Sequence, residues 1–357
     1  MNTFGKNLRL TTFGESHGPA MGGVLDGVPP RIRLDFDLIK VLIDERRTGT
    51  STLVSARKES DTPEFLSGLS PEGVTLGTPL AFIIRNTDQR SSDYDELRHV
   101  YRPNHADYAY DVRYGIRDWR GGGRSSARET VSRVVAGAIA MQILRQYGVT
   151  IEAGIISVGE SGELPFREKM AKEGRFDFPE ELAEEMRDEV ERARRDCDSV
   201  GGMVGCAVYG IPPGIGDPVF GKLQSALASA MMSINAAKGF DYGYGFDLAS
   251  SRGLATADTF LPPDEPTQTL RLTTATNYSG GIQGGISNGM PVYMRVAFKP
   301  TPSVATEQAT VDDQGRKVIL GVRGRHDPCV ALRGVPIVKA MAALVVADML
   351  LETEGRK

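Results

Sequence analysis

Cysteine is scarce in this 357-residue chain, with Cys197, Cys206 and Cys329 making up the whole set. Three widely spaced thiols offer neither a disulfide framework nor Cys-x-x-Cys metal spacing, and they suit a reducing, cytoplasmic compartment. Histidine occurs four times with no i,i+4 pair, so no metal site is expected. The opening MNTFGKNLRL lacks the apolar stretch of a secretory signal, and no apolar run approaches the ~18 residues of a membrane span. No strand leads through Gly-x-Gly-x-x-Gly into a helix, and no glycine loop carries Lys-Ser/Thr at Walker spacing, which excludes the usual dinucleotide and ATP loops. Without Gly-x-Ser-x-Gly, Ser16 beside His17 does not read as a hydrolase nucleophile. Net charge is only −4, from 42 basic and 46 acidic residues, so the chain as a whole has no pull toward nucleic acid or an anionic membrane.

What is present is a globular composition, 40% apolar and 25% charged, read as one domain over residues 1–357. Apolar residues return every three or four positions over 37–47, 126–147, 218–234 and 335–351, which predicts helices. The second is apolar nearly all round in its later half and is expected at the centre of the fold. Alternation or short apolar runs predict strands over 22–28, 80–85, 151–158, 203–209 and 291–298. Helices and strands are interspersed, as in an α/β or α+β domain. Residues 22–29, GGVLDGVP, echo 284–291, GGISNGMP, and 208–213 resembles the end of the same unit; two related halves are expected. The stretch 160–198, with 14 acidic and 8 basic residues, reads as a charged peripheral insertion, a solvated helix without chemistry.

The basic residues are 31 Arg against 11 Lys, and a rigid, always-charged fork suits phosphate and carboxylate. Between Arg98 and Arg133 stand eight arginines, no lysine and four acids, an excess of +4. At its centre is Gly121-Gly-Gly-Arg-Ser-Ser-Ala-Arg-Glu129, where three glycines can turn successive N–H groups into one concavity. Ser126 and Glu129 have capping-box spacing. A phosphate at this helix start, flanked by Arg124 and Arg128, is the anion site predicted. His17, His105 and His326 lie in Gly/Pro-rich loops beside arginines or carboxylates and suit acid–base work, whereas His99 reads as structural. A rival reading makes the segment a nucleic-acid surface, with Tyr101, Tyr108, Tyr110, Tyr114 and Trp119 as stacking groups; the net acidic chain argues against it.

Seven segments in order carry a resemblance. They are Thr11-Thr-Phe-Gly-Glu-Ser-His-Gly18, Asn86-Thr-Asp-Gln-Arg-Ser91, Arg102-Pro-Asn-His-Ala-Asp107, Arg120-Gly-Gly-Gly-Arg-Ser-Ser-Ala-Arg-Glu-Thr130, Ser233-Ile-Asn-Ala-Ala-Lys-Gly239, Gly280-Gly-Ile-Gln-Gly-Gly-Ile-Ser287 and Gly324-Arg-His-Asp-Pro-Cys329. Nearly end to end, the chain resembles the chorismate synthase family. The resemblance implies an α+β fold, a β-α-β sandwich of long central helices between two antiparallel sheets with a pseudo-twofold repeat, assembled as a homotetramer. It also implies a lyase of the shikimate pathway that removes phosphate and a ring hydrogen from 5-enolpyruvylshikimate 3-phosphate by anti-1,4-elimination, with reduced FMN and no net redox change.

Carried over by motif, His105 would protonate the departing phosphate, His17 the reduced flavin, and Asp327 would relay the proton that leaves it. Arg46, Arg102, Ser126, Arg128 and Arg325 would bind the substrate. FMN contacts would come from Arg124, Ser125, Ser126, Asn235, Ala236, Gly284, Lys299, Pro300, Thr301, Pro302, Ser303 and Arg325. The family's NADPH-contacting arginines fall at Arg46 and Thr52; Thr52 stands where relatives carry Arg, and Thr48 replaces a common Pro. With no added flavin-reductase segment, the expectation is an external source of reduced flavin, with NADPH at most an indirect reductant. A flavin oxidoreductase on the same fold is the other enzyme reading, told apart by stoichiometric consumption of reductant.

Overall fold

The computed structural model describes residues 1–47, 61–86, 97–263, 272–302, 304–321 and 327–356. Short strands in the first part of the chain form an antiparallel sheet. They are β1 (Thr3–Phe4), β2 (Arg9–Phe13), β3 (Ala20–Asp26), β4 (Glu64–Phe65) and β5 (Leu80–Arg85), in the order β1-β2-β3-β5-β4. A second antiparallel sheet holds β6 (Thr150–Val158), β7 (Gly202–Tyr209), β8 (Ala237–Tyr242) and β9 (Val292–Phe298), in the order β6-β7-β9-β8. The helices described are α1 (Phe36–Arg46), α2 (Asp107–Tyr114), α3 (Thr130–Arg145), α4 (Phe166–Glu173), α5 (Glu184–Arg195), α6 (Leu223–Met232) and α7 (Ala331–Gly355).

Helix α3 packs on β2 and β3, α7 packs on β6, β7 and β9, and the two helices pack on each other with α1 and α6 alongside. The layers are therefore sheet, helices, sheet. Burial on all sides explains the composition of α3, in which every residue from Thr130 to Leu144 except Arg133 is buried. At Gly137 the helices touch through backbone: an added Cβ would lie 2.5 Å from Ala340 Cα and 2.9 Å from its carbonyl oxygen. Against the expectation of no long apolar run, α7 contains an 18-residue window of mean hydropathy 1.9; 83% of that window is buried inside the fold, where it fills the core.

The two halves repeat in topology. In chain order, β2, β3, α1, β4, β5 and α3 answer to β6, β7, α6, β8, β9 and α7, and both sheets arrange their four equivalents in the same spatial order. Register agrees: Arg9 pairs with Asp26 at the start of β2 as Thr150 pairs with Tyr209 at the start of β6. Gly27 and Gly210 follow β3 and β7 with φ of +85° and +72°, and each sits against the carbonyl just before the neighbouring strand, that of Asn7 and of Gly148. The repeat expected from sequence exists, and 208–213 answers to 25–30 as its likeness implied, but the other partner differs. Residues 22–29 answer to 205–212 and not to 284–291, whose matching glycines belong to a tight two-stranded ribbon before β9.

Three expected helices shift at their starts, and α3 begins at Thr130 after a 3₁₀ turn. Pro218 and Gly221 delay α6 to Leu223, and α7 begins at Ala331, its Pro336 lying inside the helix. The segment 160–198 forms two helices and not one, and each buries a stripe. Phe166 and Met170 join Phe176, Ile156, Ala207 and Tyr293 on the outer face of the second sheet, while Met186 and Val190 of α5 are also buried.

Candidate active site

Most of the predicted site residues that the structure describes lie where the N-terminal ends of α3 and α7 approach the C-terminal ends of α1 and α6. The glycine turn before α3 organises one side. Gly121, Gly122 and Gly123 all take positive φ, +63°, +87° and +52°, a conformation open to glycine without strain. Each lacks a side chain for a different neighbour. A Cβ on Gly121 would overlap the imidazole of His17, one on Gly122 would stand 2.9 Å from His105 Cε1, and one on Gly123 would meet the carboxylate of Glu15. These three left-handed residues pack two imidazoles and a carboxyl against bare backbone. The capping box does not close. Ser126 Oγ accepts from Arg128 N at 3.3 Å, but Glu129 turns to Thr12 Oγ1 and Arg133, and a single 3₁₀ turn over Ala127–Glu129 precedes the α-helix.

His105 sits in a charged cluster that local spacing made possible. Arg102 grips Asp107 with two guanidinium nitrogens at 2.8 Å each, and Asp107 Oδ1 lies 2.9 Å from His105 Nδ1. Arg102 Nη2 also lies 3.0 Å from that nitrogen, so the ring either donates to Asp107 or accepts from Arg102. Burial pushes the His105 pKa below the ordinary imidazole value, with Asp107 pulling the other way. Against the cost of its own burial, hydrogen bonds from Arg102 and His105 hold the Asp107 carboxyl below the usual carboxylate range. Arg102 Nη1 makes no hydrogen bond among the described residues, which leaves a donor for a ligand. His17 is 8% exposed, with Ser16 Oγ 3.2 Å from its Nδ1. Burial raises the pKa of Glu15, opposed by Arg124.

Arg46 has internal partners. It is 1% exposed, and Nη1 binds Asp61 at 3.0 Å, Nε binds Thr130 Oγ1 at 3.1 Å and Nη2 reaches the Ala127 carbonyl at 3.3 Å. It is thus an internal strut under the start of α3, a part beyond the ligand contact expected of it. Asp61 also accepts from Arg128 Nη1 at 2.5 Å, while Arg128 Nε donates to Asn86 at 3.1 Å. Arg124 turns toward Thr12, with Nη2 2.5 Å from its hydroxyl. The arginine-rich segment therefore spends much of its charge inward on carboxylates, which removes the continuous basic surface that a nucleic-acid track requires.

The opposite wall comes from the second half. Asn235 Nδ2 donates to the Ser125 carbonyl at 2.8 Å, and its Oδ1 is buried with no donor among the described residues. Ala236 takes φ +68°, and its carbonyl accepts from Lys299 N at 3.0 Å. Lys299 Nζ donates to the Asn104 carbonyl at 2.7 Å beside His105, and burial lowers its pKa, with Lys238 adding to the effect. Lys299, Pro300, Thr301 and Pro302 line a cleft of about 600 Å³ with Asn104 and Ser199. Thr301 Oγ1 donates to the Asp327 carbonyl at 3.2 Å, and the Asp327 carboxylate pairs with Arg333 at 2.7 Å. Gly284 lies elsewhere: its neighbour Gly285 accepts from Leu223 N at the start of α6, roughly 15 Å of helix from Asn235. Thr48, Thr52, Ser303, Arg325 and His326 lie outside the described residues.

Asp61, Asp107, Glu15 and Arg333 are the site residues that sequence reasoning passed over. Asp107 had a signal, standing two residues from His105 and five from Arg102. Asp61 had none, because its partners are 15 and 67 residues away. No cluster of three or more His, Cys, Asp or Glu among the described residues could hold a metal.

A family model described as chorismate synthase matches residues 8–351. The chain is 50% identical to a chorismate synthase of Christiangramia forsetii over 362 aligned positions, covering 100% of this chain and 99% of the relative. It is 48% identical to that of Synechocystis, covering 99% and 98%. A crystal structure of chorismate synthase superposes with a TM-score of 0.72 at 28% identity, covering 98% of this chain and 93% of the other. With a layered repeat that brings paired imidazoles, arginines and a cleft together, and with full-length matches of this strength, the chain belongs to the chorismate synthase family.

Proposed function

We propose that the chain converts 5-enolpyruvylshikimate 3-phosphate to chorismate, as a carbon–oxygen lyase of the shikimate pathway. The observation that carries this reading is the seating of His17 and His105 on consecutive glycines of an arginine-bearing turn. Two proton carriers are thereby fixed a residue apart beside cationic groups, which suits loss of phosphate from a molecule that also bears carboxylates. His105 is the acid for the departing phosphate. Burial keeps its ring largely neutral in the free protein, and a dianionic phosphate beside it favours the charged ring that donates. Arg102 and Arg128, held in place by Asp107 and Asp61, orient the substrate anions with Ser126 and Arg325. His17 would hold a proton toward the cofactor, and Asp327 would take up the proton passed on from the flavin.

Reduced FMN fits the second wall. The buried Asn235 Oδ1 awaits a donor, and the cleft beside Lys299–Pro302 falls in the size range of small-molecule sites. Arg124, Ser125, Asn235, Ala236 and residues 299–303 would hold it. When bound it supplies the electron-rich partner that lets a barely acidic ring hydrogen and a phosphate leave in an anti-1,4 sense. Thr52 stands where relatives carry Arg and nothing in the sequence resembles a flavin reductase, so reduced flavin is proposed to come from an external source. Assembly as a homotetramer is carried over from the family resemblance, and exposed apolar side chains at Tyr108, Val112, Ile116, Phe220 and Leu254 are available for contacts between subunits. The test is anaerobic incubation with chemically reduced FMN and substrate. One phosphate per chorismate with no net loss of reduced flavin is expected; stoichiometric consumption of reductant, or no chorismate, overturns the reading. NADPH with oxidised FMN and no reductase should give no turnover.

A further inference from the structure

The two repeats are tied together at the site by one contact made twice. Arg133, in the first turn of α3, donates Nη1 to the carbonyl and hydroxyl of Ser233, just beyond α6, at 3.1 and 2.7 Å. Its Nε pairs with Glu129 at 3.0 Å. Arg333, in the first turn of α7, donates Nε to the carbonyl of Arg46, the last residue of α1, at 3.0 Å. Its Nη1 pairs with Asp327 at 2.7 Å. Under the repeat α3 answers to α7 and α1 to α6, so each arginine takes a carboxylate from the segment entering its own helix and grips the end of the other repeat's short helix. Each cation also faces the negative end of a helix dipole.

We propose that Arg333 is a positioning residue that fixes Asp327 relative to the end of α1, and that Arg133 is its counterpart for Asn235. This rests on the reading of Asp327 as proton acceptor. One edge of the Arg333 guanidinium binds the carboxylate while Nε is held by backbone, so the planar fork transfers the position of α1 to Asp327. On the other side, the clamp on Ser233 fixes the chain two residues before Asn235, which is itself anchored on the Ser125 carbonyl at 2.8 Å. Arg333 therefore serves the proton step, and Arg133 serves the wall assigned to the flavin.

The test uses the full-length protein, with anaerobic turnover read beside fluorescence titration of oxidised FMN. Asp327→Asn alone decides the underlying reading: a fall in kcat of about 10²-fold supports it and a near-normal rate removes it. Arg333→Gln should lower kcat at least about tenfold, with KM and the FMN Kd within about threefold of the parent, and Arg333→Lys should fall between them. Asp327→Asn with Arg333→Gln should be no slower than Asp327→Asn alone, because residues acting as one unit are not additive. Arg133→Gln should show the opposite split, a Kd for FMN weaker by about tenfold with kcat at saturating flavin little changed. Wild-type kcat in Arg333→Gln, multiplicative losses in the double variant, or the same pattern in both arginine variants would overturn the proposal.

Discussion

Replacing Gly121 by Ala isolates the packing of His17 from the general cost of a strained turn. The backbone there has φ +63°, so any L-residue costs about 1–2 kcal/mol, or roughly 2 °C in melting temperature for a chain this size. Sterics add more. The new methyl would overlap Cε1 and Nδ1 of His17 and stand 3.2 Å from Nε2, whereas carbon contacts settle near 3.5–4.0 Å. The imidazole must therefore move by roughly 1 Å or more, and a misplacement of that size costs on the order of 10²-fold in rate, about 2.7 kcal/mol of barrier. Gly115→Ala is the control, since φ is +72° but no atom lies within 4 Å of the added Cβ. It should lower the melting temperature similarly and leave kcat unchanged. Anaerobic turnover with reduced FMN and calorimetric melting measure both quantities. If Gly121→Ala keeps kcat within about threefold of Gly115→Ala, the reasoning that ties His17 to the rate through this contact is wrong.

Three further outcomes follow from the geometry. With a protonated His105 proposed as the active form, kcat/KM should fall as pH rises through a midpoint below the ordinary imidazole value of ~6.5; Asp107→Asn removes the group that favours the charged ring and should move the midpoint lower still. A midpoint above 7, or an upward shift in the variant, would contradict this. Asp61→Asn removes the carboxylate shared by two buried arginines and should cost about 3 kcal/mol or more in denaturant unfolding, an expectation that a loss below ~1 kcal/mol would reject. Gly27→Ala and Gly210→Ala occupy equivalent turns against equivalent carbonyls, so melting should show comparable destabilisation, and a large loss in only one would count against the equivalence.

Much of the layer structure was legible because burial leaves a periodic trace. β5 falls on the predicted 80–85, and the expectation of a central helix at α3 followed from its lack of a polar face. β8, with the sequence AKGFDY, has no such alternation and was missed, since its neighbours and not its own pattern decide its burial. At the site, residue types were legible and their pairings were not. Arg46 and Arg128 both look like ligand-facing arginines in sequence, yet Asp61 pairs with each inside the fold, and only tertiary structure brings that carboxylate between them. The glycines were expected to shape backbone around a phosphate. They also make room for His17, His105 and Glu15, a use that sequence cannot separate from anion binding because both call for the same residue.

The crossing of α3 and α7 limits how molecules reach the site. Both helices carry site segments at their N-terminal ends, and at Gly137 and Ala340 they are in backbone contact with no side chain between them. A hinge that swung one repeat away from the other would have to separate this contact and wet the apolar residues of both helices, so the halves behave as one rigid body. Admission of substrate and escape of product therefore fall to the loops around the rim. Traffic through the enzyme is set at its edge, and His17 and His105 keep their spacing while molecules come and go.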